Sequence, residues 1–108
     1  MGKGYEFMMA ATGMRALEIA HATPPDLIIS DLAMPGVSGA DLCEKIRLSP
    51  LLRHVPFVIV TANREDSARR NAFAAGIDGF LRKPIESSRL QFLVSELLSR
   101  RRSAANLL

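Results

Sequence analysis

This sequence of 108 residues has no tryptophan, a single cysteine and no long apolar run. No stretch approaches the roughly 18 to 20 consecutive apolar residues that a membrane-crossing helix needs, and the first residues lack the apolar segment of a signal peptide. Cys43 has no partner for an internal disulfide, so we expect a buried and unreactive thiol. These absences predict a soluble, cytoplasmic protein without a membrane partner.

A broad excess of basic residues is also absent. The net charge of +3 equals the charge of the consecutive arginines Arg100–Arg102, so the rest of the chain is balanced. We therefore predict no direct binding of nucleic acid. With 48% hydrophobic and 23% charged residues, the composition is typical of a globular domain. We assign residues 1–99 to one domain and residues 100–108 to a basic tail or the start of a linker.

Strand-like and helix-like patterns alternate along the chain. Apolar runs predict four strands, at residues 5–10, 26–30, 56–62 and 78–84. Helical spacing predicts helices over residues 13–22, from Ser38 to about 49, from about 65 to 75 before Gly76, and from Ser87 or Ser88 onward. Because the "DLIIS" and "PFVIV" strands are almost wholly apolar, we expect them to be buried on both faces. The pattern predicts an α/β fold with an open, doubly wound parallel sheet of four strands and about four helices.

Three polar side chains stand at the exits of predicted strands: Asp31, Thr61 and Lys83. Ligands of open parallel sheets bind beyond the carboxyl ends of the strands. There, a carboxylate can be an orienting base, a metal ligand or a nucleophile that forms an acyl phosphate. An amine and a hydroxyl suit phosphoryl oxygens. The alternative is structural: Asp31 and Lys83 form an ion pair, and Thr61 satisfies a backbone group. The spacing leaves both open.

Four segments, in the same order, resemble the receiver domains of bacterial two-component response regulators. "DLIISDLAMPGVSG" contains the pattern D-x-x-M-P-x-x-x-G, "VIVTA" follows it, and "AAGIDGFLRKPI" resembles the pattern A-G-A-x-x-[YF]-L-x-K-P. "GYEFMMAATGMRALEIA" is similar to the second strand and second helix of that family. The matched positions are Asp31, Met34, Pro35, Gly39, Thr61, Ala62, Phe80, Lys83 and Pro84. The resemblance implies a flavodoxin-like (CheY-like) fold.

The resemblance also implies roles for these positions. Asp31 would accept a phosphoryl group from a sensor histidine kinase, a phosphotransfer protein or a small phosphodonor, and Thr61 and Lys83 would bind its oxygens. Phe80 and Thr61 would form a switch that changes an interaction surface. The Lys83–Pro84 bond would be cis. The two site-modulating positions would be Ala33 and Asn63, which lie two residues after the acceptor and the threonine.

The beginning of the chain departs from the family pattern. The family opens with a strand that ends in an acidic pair and with a first helix, and this sequence has neither, which indicates an N-terminal truncation. Of the Mg²⁺ ligands only Asp31 and the backbone carbonyl of Ala33 remain, so we expect weak or absent Mg²⁺ binding. The competing hypothesis is a phosphorylation-independent interaction or dimerisation domain, present as a homodimer or strand-exchanged oligomer. We do not expect an enzyme. A phosphatase of the haloacid dehalogenase type also uses an aspartate at a strand end, but it needs a second acid two residues later, and position 33 is alanine.

Overall fold

Helices and strands alternate throughout the computed structural model, which describes residues 12–34 and 36–106. The order of the elements is α1 (Gly13–Ala22), β1 (Ile28–Asp31), α2 (Gly39–Leu48), β2 (Phe57–Thr61), α3 (Asp66–Ala74), β3 (Gly79–Arg82) and α4 (Ser87–Asn106). The predicted helices and the three later strands are confirmed. The strand predicted at residues 5–10 lies outside the described residues. Helix α4 continues past residue 99, and the domain boundary proposed there stays a prediction.

Local hydrogen bonds explain where the helices begin and end. The Ser38 hydroxyl accepts a hydrogen bond from the Asp41 N–H at 3.1 Å and caps α2, and Thr12 caps α1 in the same way through the Arg15 N–H. Helix α1 ends before Pro24, because the residue that precedes a proline disfavours the helical conformation. The C-cap residue Thr23 accordingly has an extended backbone. Gly76 follows α3 with a φ of 104°, a left-handed conformation that a side chain disfavours.

The three described strands form a parallel sheet in the order β1-β2-β3. Asp31 is in register with Val60, and Thr61 is in register with Arg82. The carboxyl ends of all the described strands therefore lie along one edge of the sheet. Among the described helices, none combines the length and the hydrophobicity that a transmembrane segment requires.

Helices cover both faces of this sheet, as predicted. On one face, β2 residues Phe57 and Ile59 pack in a cluster with Leu42 and Ile46 of α2, to which α1 and α3 also contribute. On the other face, Val58 and Val60 pack with Leu97 of α4. Every residue of β2 is buried as a result. Burial of this apolar strand on both sides accounts for its unbroken hydrophobic sequence.

One expectation about burial is wrong. The side chain of Ile29 on β1 is 41% exposed, although the apolar run predicts burial on both faces. Ile28 packs against the cluster of α1, α2 and α3, so alternation along the strand directs Ile29 to the face that carries α4. In the described part of the chain, α4 covers β2 and β3 residues Val58 and Leu81 but leaves Ile29 half-covered.

The thiol of Cys43 lies within the apolar cluster, where its side chain is 0% exposed. Burial raises the pKa of this thiol to about 11, although the nearby Arg47 favours the thiolate. A thiol that stays protonated near neutral pH is a poor nucleophile. The expectation of a buried thiol is confirmed, and its raised pKa supports low reactivity.

The side chain of Arg47 joins the end of α2 to two loops. Its Nε donates a hydrogen bond to the Gly76 carbonyl at 2.9 Å, and its terminal nitrogens donate to the Val55 carbonyl at 2.6 Å and to Asp78 Oδ2 at 2.9 Å. The same Asp78 oxygen accepts the Phe57 N–H at 2.8 Å. This network fixes the loops that lead into β2 and β3. Nothing in the sequence pattern predicted it.

Replacing Arg47 with methionine is expected to lower the free energy of unfolding by about 2 kcal/mol, because partly buried carbonyls lose their donor. Urea denaturation of the variant and of the wild-type chain measures this change. Arg53→Met is the matched control, since the Arg53 side chain is exposed and only its carbonyl belongs to the network. Equal stability losses in the two variants would contradict the role given to the Arg47 side chain.

Candidate functional site

The three polar residues predicted at strand exits lie on one edge of the sheet. Asp31 is the last residue of β1, Thr61 is the last residue of β2, and Lys83 directly follows β3. Backbone hydrogen bonds continue across these ends: the Leu32 N–H donates to the Val60 carbonyl at 3.3 Å, and the Lys83 N–H donates to the Thr61 carbonyl at 2.8 Å. The parallel sheet thus brings residues distant in sequence to a common edge.

Asp31 and Lys83 are in direct contact. Lys83 Nζ lies 3.1 Å from each carboxylate oxygen of Asp31. The side chains are 43% and 44% exposed, respectively, so water screens the pair and its contribution to stability is at most about 1 kcal/mol. The same exposure leaves the carboxylate accessible to a reagent from solution. The arrangement is a solvent-accessible carboxylate beside a positive charge.

Thr61 is close along the edge but is held differently. Thr61 is only 3% exposed, and its hydroxyl oxygen accepts a hydrogen bond from the Asn63 N–H at 3.0 Å. Within residues 12–34 and 36–106, no hydrogen bond joins this hydroxyl to Asp31 or Lys83. Asn63 Oδ1 in turn accepts the Glu65 N–H at 2.8 Å, just before α3. The predicted trio therefore shares one edge, while only the acid and the amine touch.

The loop after Asp31 depends on a close backbone contact at Gly39. The Gly39 N–H donates to the Leu32 carbonyl at 2.8 Å. A Cβ at Gly39 would overlap the carbonyl oxygen of Asp31 and lie 3.1 Å from the Leu32 Cα. Only glycine permits α2 to approach the end of β1 this closely. The matched position Gly39 thus has a direct steric role at the candidate site.

The other residues of this loop lie around the exit of β1. Ser30 is buried, and its hydroxyl lies 2.7 Å from the Asp31 carbonyl oxygen and 3.6 Å from the sulfur of Met34. Ala33 is exposed, and Pro35 is outside the described residues. Sequence reasoning overlooked Ser30, although a small polar residue in an otherwise apolar strand was a usable signal.

Arg82 connects the aromatic position to the loop after Thr61. Its guanidinium lies 5.5 Å from the centroid of the half-buried Phe80 ring. Arg82 Nε also donates to the Asn63 carbonyl at 3.3 Å, and a terminal nitrogen lies 3.7 Å from Asp66 Oδ1. The bond that follows Lys83, to Pro84, is cis. No motif in the sequence pointed to a role for Arg82.

The described residues do not by themselves fit a Mg²⁺ site. Asp31 supplies the carboxylate at this edge, and Lys83 Nζ already lies against both of its oxygens. No group of three or more His, Cys, Asp or Glu residues suited to a metal occurs within 12–34 and 36–106. The backbone carbonyl of Ala33 is the other ligand that the resemblance implies. Mg²⁺ usually requires a larger set of oxygen ligands.

Comparison with known proteins gives consistent matches. Residues 2–95 match the family described as the response regulator receiver domain. The chain is 33% identical to response regulator PleD of Caulobacter vibrioides over 92% of its own length and 24% of that protein. It is 34% identical to sensor histidine kinase TmoS of Ectopseudomonas mendocina over 88% of its length, but spans 10% of that protein.

A solved structure supports the same fold. The receiver domain of sensor histidine kinase PA1611 from Pseudomonas aeruginosa, which was solved with a magnesium ion in its active site cleft, has a TM-score of 0.81 to this chain. The two are 29% identical, and the match covers 89% of this chain and 79% of that one. The flavodoxin-like architecture predicted from the sequence is confirmed.

Proposed function

Because this chain belongs to the family of response regulator receiver domains, homologous to the phosphoacceptor domains of two-component systems, we propose that Asp31 is its phosphoacceptor. The observation that carries this proposal is the contact of Lys83 Nζ with both oxygens of the half-exposed Asp31 carboxylate, at 3.1 Å. A sensor histidine kinase or a phosphotransfer protein is the proposed donor, in agreement with the kinases and regulators among its relatives.

In the proposed reaction an Asp31 oxygen attacks the phosphorus atom of the donor. The bond between phosphorus and the donor breaks, its electron pair leaves with the donor, and an acyl phosphate forms on Asp31. Lys83 then pairs with the added negative charge, since its amine lies beside the attacking oxygen. Thr61 is the proposed second donor to the phosphoryl group, because its hydroxyl lies at the end of the neighbouring strand.

The proposed response to phosphorylation starts at Thr61. If its hydroxyl turns toward the phosphoryl group, the hydrogen bond from the Asn63 N–H is lost. The loop held by Asn63 then shifts relative to Arg82, which contacts both this loop and the Phe80 ring. Phe80 is therefore the proposed switch aromatic, and exposed Ala33 together with Asn63 would modulate the approach of water to the acyl phosphate. The mechanism is a two-state change biased by a new charge.

The proposed reaction does not depend on a bound Mg²⁺ ion. Family members such as the PA1611 receiver domain hold a magnesium ion in the cleft, whereas the described residues here offer Asp31 and the Ala33 carbonyl. We therefore assign the charge compensation during transfer to Lys83. Uptake that occurs with added Mg²⁺ but is slow or absent without it would indicate that other residues complete a metal site.

Intact-mass measurement after incubation of the 108-residue chain with acetyl phosphate, with and without Mg²⁺, tests the proposal. We expect a gain of one phosphoryl group that is lost in alkali, as an acyl phosphate is. Borohydride reduction followed by peptide mapping should then convert Asp31 into homoserine. No adduct, or an adduct that maps to a serine or threonine, would overturn the proposal and favour a phosphorylation-independent interaction domain.

The oligomeric state of this chain stays a prediction as well. The open question is whether it forms the homodimer or strand-exchanged oligomer expected from the sequence. Size-exclusion chromatography with light scattering decides this, and a mass of 11.8 kDa would contradict either assembly.

A further inference from the structure

The most exposed large apolar side chain among the described residues lies at the end of α2. Leu48 is 83% exposed, and Leu51, in the turn that follows, is 58% exposed. Pro50, between them in sequence, is exposed as well. We call these three residues the Leu48 patch. Single exposed leucines are common at protein surfaces, whereas a contiguous group of apolar residues favours an interaction site.

The Leu48 patch is held in place by buried and hydrogen-bonded neighbours. The Ser49 carbonyl accepts hydrogen bonds from the Leu52 N–H at 3.1 Å and from the Arg53 N–H at 2.8 Å. Leu52 is 0% exposed, so the turn that carries Leu51 is anchored in the core. A surface on such a rigid support loses little conformational freedom when a partner binds.

The Leu48 patch lies at the end of the fold opposite Asp31. Helix α2 begins at Gly39, whose N–H donates to the carbonyl of the residue after Asp31, and runs for 10 residues, about 15 Å. In its last turn, Arg47 donates to the Val55 carbonyl, shortly before β2 begins. The helix therefore ends near the amino ends of the strands. A partner on the patch leaves the candidate site open to solvent.

The charges around the Leu48 patch have both signs. Exposed Glu44 lies one helical turn before Leu48, next to exposed Lys45, and exposed Arg53 follows Leu51 by two residues. None of these three charged side chains forms a salt bridge within the part of the chain that the structure describes. An anionic membrane, or a partner of a single charge sign, would meet like charges here. A two-fold axis at Leu48 instead brings the Glu44 side of one copy toward the Arg53 side of another.

We propose that the Leu48 patch is a homodimer interface, in which a second copy of this chain packs its patch against the first about a two-fold axis. Leu48 and Leu51 form the centre, and Glu44 pairs with Arg53 of the other copy. An apolar centre with a charged rim is typical of protein–protein contacts. Because the patch is small, its interface lies below about 1,200 Å², where association is weak and depends on concentration. The proposal is independent of the function proposed for Asp31.

Sedimentation velocity of the 108-residue chain, from micromolar to millimolar concentration, tests the proposal. We expect the mass to rise from 11.8 kDa toward twice that value. Leu48→Asp is expected to weaken the association at least about tenfold, because it places like charges at the centre of the interface. The substitution leaves the core untouched, since Leu48 is 83% exposed.

Phe92→Ser is the matched control for this variant. Phe92 is also a highly exposed apolar residue, 68% exposed, but it lies on α4. The variant should dimerise like the wild-type chain. A wild-type chain that stays monomeric at every concentration would overturn the proposal. A dimer that is lost in Phe92→Ser and retained in Leu48→Asp would overturn it too.

Exchange of charges tests the pairing at the rim. Glu44→Arg and Arg53→Glu each create like-charge pairs, and the two-fold axis repeats each pair, so we expect either variant to weaken the dimer about tenfold. The variant with both substitutions restores opposite charges and should recover the wild-type affinity. If the double variant is as weak as the single ones, the proposed geometry is wrong.

A cysteine introduced at Leu48 tests the position of the two-fold axis. Cys43 is the only cysteine of the chain and is 0% exposed, so the thiol added in Leu48→Cys is the accessible one. With copper phenanthroline as oxidant, we expect a disulfide-linked dimer, because the two added thiols lie close together across the axis. Met14→Cys, at a position that is 57% exposed on α1, is the control. Equal cross-linking in both variants would indicate random collision and overturn the proposal.

Phosphoryl uptake separates this inference from the proposed function. A dimer that depends on Leu48 in a chain that takes up no phosphoryl group at Asp31 would refute the proposed function and retain the interface. Uptake by a chain that stays monomeric would refute the interface alone. Uptake at the wild-type rate in Leu48→Asp, together with loss of its dimer, is the result expected from both.

Discussion

Replacing Asp31 with asparagine is expected to abolish phosphoryl uptake from acetyl phosphate while the fold stays intact. The side-chain amide keeps the shape of the carboxylate but is a poor nucleophile, so no acyl phosphate forms. The lost ion pair with Lys83 is half-exposed and contributes at most about 1 kcal/mol to stability. Intact-mass spectra after incubation measure the uptake, and circular dichroism during heating checks the fold.

Two further variants make this result specific. Asp41→Asn is the control, because Asp41 is an exposed carboxylate in the first turn of α2 and has no contact with Lys83. It should retain wild-type uptake. Lys83→Met is expected to slow uptake about 100-fold, the usual effect of removing one group that stabilises the developing charge. Normal uptake in Asp31→Asn, or equal losses in Asp31→Asn and Asp41→Asn, would refute the assignment of the acceptor.

Replacing Gly39 with alanine is expected to destabilise the domain by about 3 kcal/mol, at the upper end of the range for overpacking. The new Cβ would overlap the Asp31 carbonyl oxygen, and neither the strand end nor the start of α2 can move without losing the hydrogen bond from the Gly39 N–H to the Leu32 carbonyl. Phosphoryl uptake should fall as well, since relief of the overlap displaces Asp31. Urea denaturation and intact-mass spectra measure the two effects.

Gly36→Ala provides the contrast for this prediction. Gly36 has a φ of 78°, but among the described residues other than its chain neighbours no atom lies within 4 Å of the position where its Cβ would be. Alanine there costs only the strain of the left-handed backbone, about 1 to 2 kcal/mol, and should leave phosphoryl uptake unchanged. If Gly39→Ala is no more destabilising than Gly36→Ala, the close approach of α2 to β1 does not limit the choice of residue at this position.

Sequence reasoning succeeded where a single local signal decides the structure. The caps Ser38 and Gly76 and the alternation of strands and helices define the elements, and the order of parallel strands places Asp31 and Lys83 on one edge. The family motifs predicted the flavodoxin-like fold, which the comparisons confirm. The burial of the Cys43 thiol was also expected, because a lone cysteine has no disulfide partner and is usually buried.

Sequence reasoning failed where a property depends on contacts between distant elements. The burial of Ile29 depends on how far α4 extends across the sheet, and an apolar run carries no information about that. The network of Arg47 depends on where two loops meet, and the bridging position of Arg82 depends on its register with Thr61. The orientation of the Thr61 hydroxyl toward Asn63 is a rotamer choice that no motif specifies.

The contact between Lys83 and Asp31 joins residues that are 52 positions apart along the chain. Such a pair exists only after β1, β2 and β3 have assembled, because each partner enters from a different strand. A chain whose strands have not assembled presents the aspartate without its amine. If Asp31 is the acceptor, as we propose, such a chain takes up the phosphoryl group more slowly, and the rate of uptake then depends on the folding of the whole sheet.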